Sequence, residues 1–478
     1  MSQQQEYAGP PPRRSTPLKR ALLIARTLGY TLSFFLSLLS RSLSQRLRLL
    51  SHNAFFSSIS SSSPSDSDEK EKPGSRNIVV VGASFAGYHA ARAIASALAP
   101  GSPYRVVVVE PRDHFHFTWV LPRFCVVTHH HEHKAFIPYG PYVASAADRG
   151  TLAWVRGRVV AVERGHVAVR CRLEEGAADA VLLPYDYLVV ATGSGSGDGL
   201  PSRVGADAKG EGVRRLREMQ ERIRGARSLV VVGGGAAGVE LAADAKAVYP
   251  GKRVVLVHSR DRVMHRFGPE LRDAAAEGLR ELGVEIVTGD RVVGEDTERG
   301  VVTLRSGREI ACDFLVNCVG QKPDSRLIAA LSPDAISETG HILVKPTLQI
   351  QDDSLPNIYA CGDVAETHVE RPNARSAMNQ AMIAADNILL AIQGKEPTRV
   401  YKHHWVEGVI KLTLGLDKSV SYLSDGVTEL LFRSKEKDIA LMSARAWKQL
   451  GAKPFEDNSE VMDKIAIDPW MHDGKDVS

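Results

Sequence analysis

Gly82, Ser84 and Gly87 stand in VVVGASFAG (79–87), and Gly233, Gly235 and Gly238 stand in VVVGGGAAG (230–238). Each segment joins a β-branched run to an Ala-rich stretch of helical character. Glycines at this spacing let backbone N–H groups approach a pyrophosphate, with the positive end of a helix behind them. Two turns of one design, about 150 residues apart, imply that one chain holds two dinucleotides.

The order of the two units fits FAD in the first and a nicotinamide dinucleotide, whose hydride the flavin collects, in the second. In the first unit Asn77 to Val81 reads as the buried strand, Gly82 as the tight turn and Gly87 as the point of close helix packing. Ser84 replaces the middle glycine; its small side chain still admits a pyrophosphate, less freely than glycine does. The next strand, Arg105 to Val109, ends at Glu110, about 28 residues after Gly82, where an acid accepts hydrogen bonds from adenosine ribose hydroxyls. The second unit keeps all three glycines, but its strand Arg253 to Val257 runs into His258, Ser259 and Arg260. A hydroxyl and a guanidinium bind a 2′-phosphate that an acid would repel. The reading leans to NADPH, or to use of both nucleotides; the alternative is that Arg260 is a solvated loop residue.

Other residue types exclude chemistries. Cys125, Cys171, Cys312, Cys318 and Cys361 form no closely spaced pair, so a dithiol relay between flavin and substrate is not expected, and the thiols read as reduced and structural. His129, His130, His131 and His133, with His114 and His116 upstream, lack an ordered metal-ligand spacing and read as loop residues. The net charge of +4 hides an asymmetry: residues 1–65 carry eight Lys or Arg and one acid, Glu6, which leaves −3 for the rest. Such a body is not a nucleic-acid-binding surface.

The elements that must position these residues follow from composition. Residues 1–75 read as a disordered, targeting or membrane-associating leader and a Ser-rich linker. Alternating strand and helix patterns from 76 to about 387 signify an α/β architecture. They divide into a first FAD-binding part (76–200), a nicotinamide-nucleotide domain (201–320) and a second FAD-binding part (321–398). Residues 399–450 read as a small α+β interface domain, with antiparallel strands broken by GLDKS and SDG, and 451–478 as a polar tail.

Three further segments carry a resemblance. YDYLVVATGS (185–194), VNCVGQKPDS (316–325) and NIYACGDVAE (357–366) resemble the crossover and flavin-closing motifs of the pyridine-nucleotide-dependent FAD oxidoreductases. Thr192 and Gly193 end a buried strand where the chain passes close to the cofactor, and Asp363, behind Gly362, is placed to bond the ribityl or pyrophosphate part of FAD. The resemblance implies two Rossmann-like domains, the NAD(P) domain inserted in the FAD domain. GVELAADAKAVYPGKRVVLVHSR (238–260) and RSKEKDIALMSARAWKQL (433–450) look most like the apoptosis-inducing-factor-like, ferroptosis-suppressor branch, related to type II NADH dehydrogenases. That resemblance implies FAD and NAD(P)H as cofactors and electron transfer from reduced flavin to a quinone-like acceptor. It places Glu240 near the nicotinamide. It also places the Ala377 to Gln380 segment at the acceptor pocket, with Gln380 as hydrogen-bond donor to a quinone carbonyl. Pro372, Asn373 and Arg375 depart from the family's pattern there. The reading from another class is an NAD(P)H-responsive redox sensor of the apoptosis-inducing-factor type with slow turnover.

Residues 18–50 are Arg-rich, Ser-rich and free of acid, the composition of a mitochondrial transit peptide. The apolar run Thr27 to Ser40 has 14 residues, short of the roughly 20 that span a bilayer. A cleaved presequence or an interfacial membrane contact through 18–50 is therefore favoured over a transmembrane helix. Ser at position 2 excludes an N-myristoyl anchor. The expected location is the mitochondrion or a membrane surface, with the cytoplasm as the alternative.

Overall fold

The computed structural model describes residues 16–30, 32, 36, 74–128, 130–171, 180–195, 201–457 and 462. The Ser-rich linker lies outside the described residues. The valine-rich runs become strands of a five-stranded, all-parallel sheet in the order Ile358–Ala360, Tyr187–Val190, Arg76–Val81, Tyr104–Val109, Leu152–Val155. Ile78, Val79 and Val80 are fully buried, because a parallel sheet is covered on both faces and needs continuous apolar strands. Helix Phe85–Ala97 covers one face and packs on helix Ala374–Ala391. Buried Ala90, Ala91 and Ala95 on one, and Ala377, Ala381 and Ala384 on the other, keep the contact close.

The strand Ile358–Ala360 joins this sheet only after the chain has built a second one. That second sheet is also parallel, in the order Glu285–Thr288, Arg253–His258, Ser228–Val232, Phe314–Asn317. The second unit is thus inserted in the first, an α/β fold of two Rossmann-like units. Each unit also carries a three-stranded antiparallel flap: Gly157–Glu163, His166–Cys171 and Val181–Pro184 in the first, Val292–Asp296, Val301–Leu304 and Glu309–Ala311 in the second.

A third sheet, Ile410–Thr413, Lys418–Ser424 and Glu429–Lys435, is antiparallel and is followed by helix Ser443–Gln449. Its first strand starts well inside the expected 399–450 domain, because a 3-10 turn at Trp405–Gly408 buries Glu407 first.

The leader differs most from expectation. Residues 17–30 form a helix lodged on this third sheet, with Leu23 1 % exposed and packed with Leu423 and Leu430. Arg20 pairs with Glu270 and Arg26 with Asp425. An apolar residue and two cations of the supposed appendage have partners in the body, so this stretch is part of the fold. Among the described residues no helix is long and apolar enough to cross a membrane.

Candidate functional site

The two glycine turns are sterically obligatory. Gly82 sits at φ +89, and a Cβ there would lie 2.7 Å from the Ala191 carbonyl oxygen. A Cβ on Gly87 would stand 1.8 Å from the Gly82 oxygen, and one on Gly238 would stand 1.9 Å from the Gly233 oxygen. Gly233, at φ +114, has Val319 against it. These contacts let each helix start directly beneath its turn.

The helix N-termini behind the turns are left open. Ser84 is the N-cap of Phe85–Ala97 and Gly235 that of Ala236–Val248; neither makes a side-chain cap bond, and neither helix has an acid in its first turn. Uncapped N–H groups and an unopposed dipole make an anion site. By contrast helix Ala374–Ala391 is closed by a full capping box between Asn373 and Ser376. The residues present therefore fit two dinucleotide pyrophosphates, one per glycine turn.

Glu110 is buried and accepts the Ala83 amide through Oε2 at 2.7 Å and the Arg112 amide through Oε1 at 3.0 Å. It braces the first turn from the neighbouring strand end, the place expected for a ribose acceptor. In the second unit His258 does the bracing, accepting the Gly234 amide through Nδ1 at 3.1 Å. Burial, with His265 and Arg260 nearby, lowers its pKa to about 4. The brace is neutral at pH 7, and Ser259 and Arg260 beyond it are exposed. Nothing in the sequence pattern singled out His258, although it ends its strand at the place where Glu110 follows the first unit's strand.

Thr192 Oγ1 donates to the Asp324 carbonyl at 2.6 Å and the Asp324 amide to Gly193 oxygen at 2.9 Å, which joins the two crossover segments. Gly193 and Gly362 have φ of +71 and +81. Asp363 meets Ser194 Oγ at 3.3 Å and Arg203 Nη2 at 3.4 Å, and Arg203 also donates to the Ser194 carbonyl. Arg203 went unremarked in the sequence; its partner lies 160 residues away.

Gln380 requires a correction. Its Oε1 accepts the Gly362 amide at 2.8 Å, its Nε2 donates to Thr367 Oγ1 at 3.0 Å, and it also bonds Tyr401. At 3 % exposure it is a tie that fixes the Gly362–Asp363 turn, not a free donor to an acceptor. Beside it, Glu407 collects Asn379 at 2.8 Å, Tyr401 at 2.7 Å and His403 at 3.1 Å.

Glu240 lies on helix Ala236–Val248, where Oε1 accepts from Thr413 N at 2.9 Å and Thr413 Oγ1 at 3.1 Å. Burial raises its pKa to about 7. One turn on, buried Asp244 takes Arg123 Nε at 2.6 Å.

None of the five cysteines is joined to another by a disulfide, and burial pushes Cys318 and Cys361 up to about 12. The histidine run divides: His131 contacts Lys134 and His133 meets the Phe455 ring edge-on, while His129 lies outside the described residues. Among the described residues no group of His, Cys, Asp and Glu has the arrangement of a metal site.

Residues 76–386, which contain both turns and the strand that returns to the first sheet, match the model of the pyridine nucleotide-disulphide oxidoreductases. The chain belongs to that family. It is a NAD(P)H-dependent flavoprotein oxidoreductase with FAD and NAD(P)H as cofactors. It is 34 % identical over 393 residues to Fe-regulated protein 8 of Mycosarcoma maydis, covering 79 % of this chain and 95 % of that one. It is 27 % identical over 390 residues to ferroptosis suppressor protein 1 of Homo sapiens, covering 80 % and 97 %. Among solved structures, NDH2 from Plasmodium falciparum in complex with NADH superposes with a TM-score of 0.58 at 14 % identity, over 80 % of this chain and 94 % of that one, a likeness of fold.

Proposed function

We propose that the protein passes electrons from NAD(P)H through FAD to a quinone-like small molecule, with no redox-active disulfide between. The observation that carries this is the thiol chemistry: helix Phe85–Ala97 after the first turn contains no cysteine, and none of the five that exist is joined to another by a disulfide. Reduced flavin then needs an acceptor that meets it directly. The similarity to ferroptosis suppressor proteins, over nearly their whole length, supports the same class of reaction.

Bound FAD supplies the two-electron chemistry; the side chains supply position. Gly82, Ser84, Gly87 and Glu110 hold the FAD pyrophosphate and ribose. Thr192, Gly193, Gly362 and Asp363 close over its flavin half. Gly233, Gly235 and Gly238 hold the nicotinamide dinucleotide, with Ser259 and Arg260 at its 2′-position. Glu240 stands by the nicotinamide, where a carboxyl of pKa about 7 holds a proton through part of the working range. The domain limits at 200, 320 and 398 are those that divide these duties. The protein acts at the mitochondrion or a membrane surface, which a reporter fused to residues 1–60 tests: diffuse cytosolic signal overturns it.

Steady-state turnover with a water-soluble quinone is the deciding experiment. A rate of about 1 s⁻¹ or more, the lower end of ordinary enzymes, is expected. Very slow reoxidation with a persistent charge-transfer band would overturn it in favour of a redox sensor.

A further inference from the structure

The helix over residues 17–30 has two faces with opposite fates. The inner face is fixed to the body by Leu23 and by the Arg20 and Arg26 ion pairs; the Arg26 guanidinium also lies 5.5 Å from the Trp405 ring. Tyr30 stacks on His404, with centroids 4.1 Å apart and planes 14° from parallel, and its hydroxyl bonds Asn379. Asn379 precedes Gln380, so this helix reaches the polar cluster bordering the Gly362–Asp363 turn.

The outer face is exposed among the described residues. Leu18 is 80 % exposed, Leu22 59 %, Leu28 65 %, Leu32 62 % and Leu36 56 %. Within residues 17–30, at about 100° per residue, Leu18, Leu22 and Leu28 fall within an arc of about 120°, and Leu23 points about 160° from its centre. The same side of the third sheet adds Phe432, two residues along the strand from Leu430 and therefore on its face, 54 % exposed. A row of exposed leucines continued by an aromatic exceeds what a soluble surface leaves open without purpose.

Charge identifies the occupant. From Tyr7 to Ser65 the sequence has eight Lys or Arg and no acid; with Arg20 and Arg26 paired to the body, the other six match an anionic lipid surface. The inner face is committed to protein, so the helix lies along the interface in place of crossing the bilayer. We propose that this helix seats on an anionic bilayer with Leu18, Leu22, Leu28, Leu32 and Leu36 toward the acyl chains. Because Tyr30 links it to Asn379, in the segment where the resemblance puts the acceptor pocket, seating turns that side of the site toward the lipid, and a long-tailed acceptor enters from there. The second step rests on the quinone-like acceptor proposed above.

The test uses the full-length holoprotein and vesicles of phosphatidylcholine with or without phosphatidylglycerol. Wild type is expected to float with the anionic vesicles, less so in high salt. The triple variant Leu18→Glu, Leu22→Glu, Leu28→Glu changes only exposed residues, and its FAD content reports that the fold is kept. It is expected to lose vesicle affinity by at least about tenfold. Its kcat/KM for a short, water-soluble quinone stays unchanged while that for a long-tailed quinone in vesicles falls. Wild type left in the aqueous fraction, or a triple variant that floats equally, overturns the proposal. So does a dimer that the triple variant splits and vesicles do not compete for, since the leucines then face a second copy. Vesicle binding that depends on the leucines, without turnover of either quinone, supports the lipid seat and overturns the acceptor reading alone.

Discussion

His258 holds the Gly234 amide at 3.1 Å, the task that Glu110 performs for Ala83 at 2.7 Å on the first turn. The duplicated units thus share one brace with different charge. The first puts a carboxylate at the strand end; the second puts a neutral ring there, its pKa lowered to about 4 by burial.

Nucleotide choice follows from that difference. Arg260→Ala is expected to weaken NADPH by about 1–3 kcal/mol, the range for a charge-assisted contact, and to leave NADH nearly untouched. His258→Glu, which restores an acid at the strand end, shifts preference toward NADH. Paired KM values for the two nucleotides check both; equal losses for Arg260→Ala would mean that it acts on the shared part of the dinucleotide.

Asp363→Ala is expected to release the flavin. The carboxylate is a protein-side partner of Arg203 as well as the proposed partner of FAD, so Arg203→Met serves as the control that removes the ion pair and keeps the acid. The ratio of flavin to protein absorbance after desalting reports the result. Stoichiometric yellow colour in Asp363→Ala would show the assignment to be wrong.

Gln380→Ala removes the tie on the Gly362 amide. Leaving that buried N–H without an acceptor costs about 1–3 kcal/mol, so FAD dissociation is expected to rise about tenfold or more. The acceptor KM measured at saturating FAD should not move. A raised acceptor KM with FAD binding intact would return Gln380 to the role of donor to the acceptor.

Glu240 makes stability depend on pH. Its pKa is raised from 4.5 to about 7, first by burial, so between these values the folded protein holds a proton that the unfolded chain has lost. Its contribution is present below the unfolded pKa and falls as pH rises through about 7, by roughly 3 kcal/mol in all. Glu240→Gln keeps an acceptor for Thr413 and has no charge to bury. Its melting temperature is expected to exceed wild type at pH 8 and to match it near pH 5. The same gap at both values would sink the assignment.

Steric requirements were the most legible part of the chain. Only glycine satisfies positions 87 and 238, so the turns, their strands and the two-unit α/β fold could be read directly. Position in a motif was legible; partnership was not. Gln380 reads as a donor to an acceptor until Thr367, 13 residues before it, takes its Nε2. Arg203 and Asp363 meet across 160 residues, a separation that no local pattern encodes. The leader reads as one apolar run because Leu22 and Leu23 are chemically identical in sequence. Only the docked helix separates them, one 59 % and the other 1 % exposed.

Arg123, from the short helix Leu121–Phe124 of the FAD domain, is 1 % exposed and reaches two other modules. It donates to Asp244 of the nucleotide domain at 2.6 Å and to the Gly415 carbonyl of the C-terminal sheet at 3.0 Å. A cation shut in apolar surroundings is tolerable only while both acceptors stay, and stripping a partner from such a pair costs about 3–5 kcal/mol. The three modules therefore cannot be exchanged between relatives as independent cassettes. A chimera with a junction between any two of them inherits an orphaned guanidinium unless the residues at 123, 244 and 415 travel together.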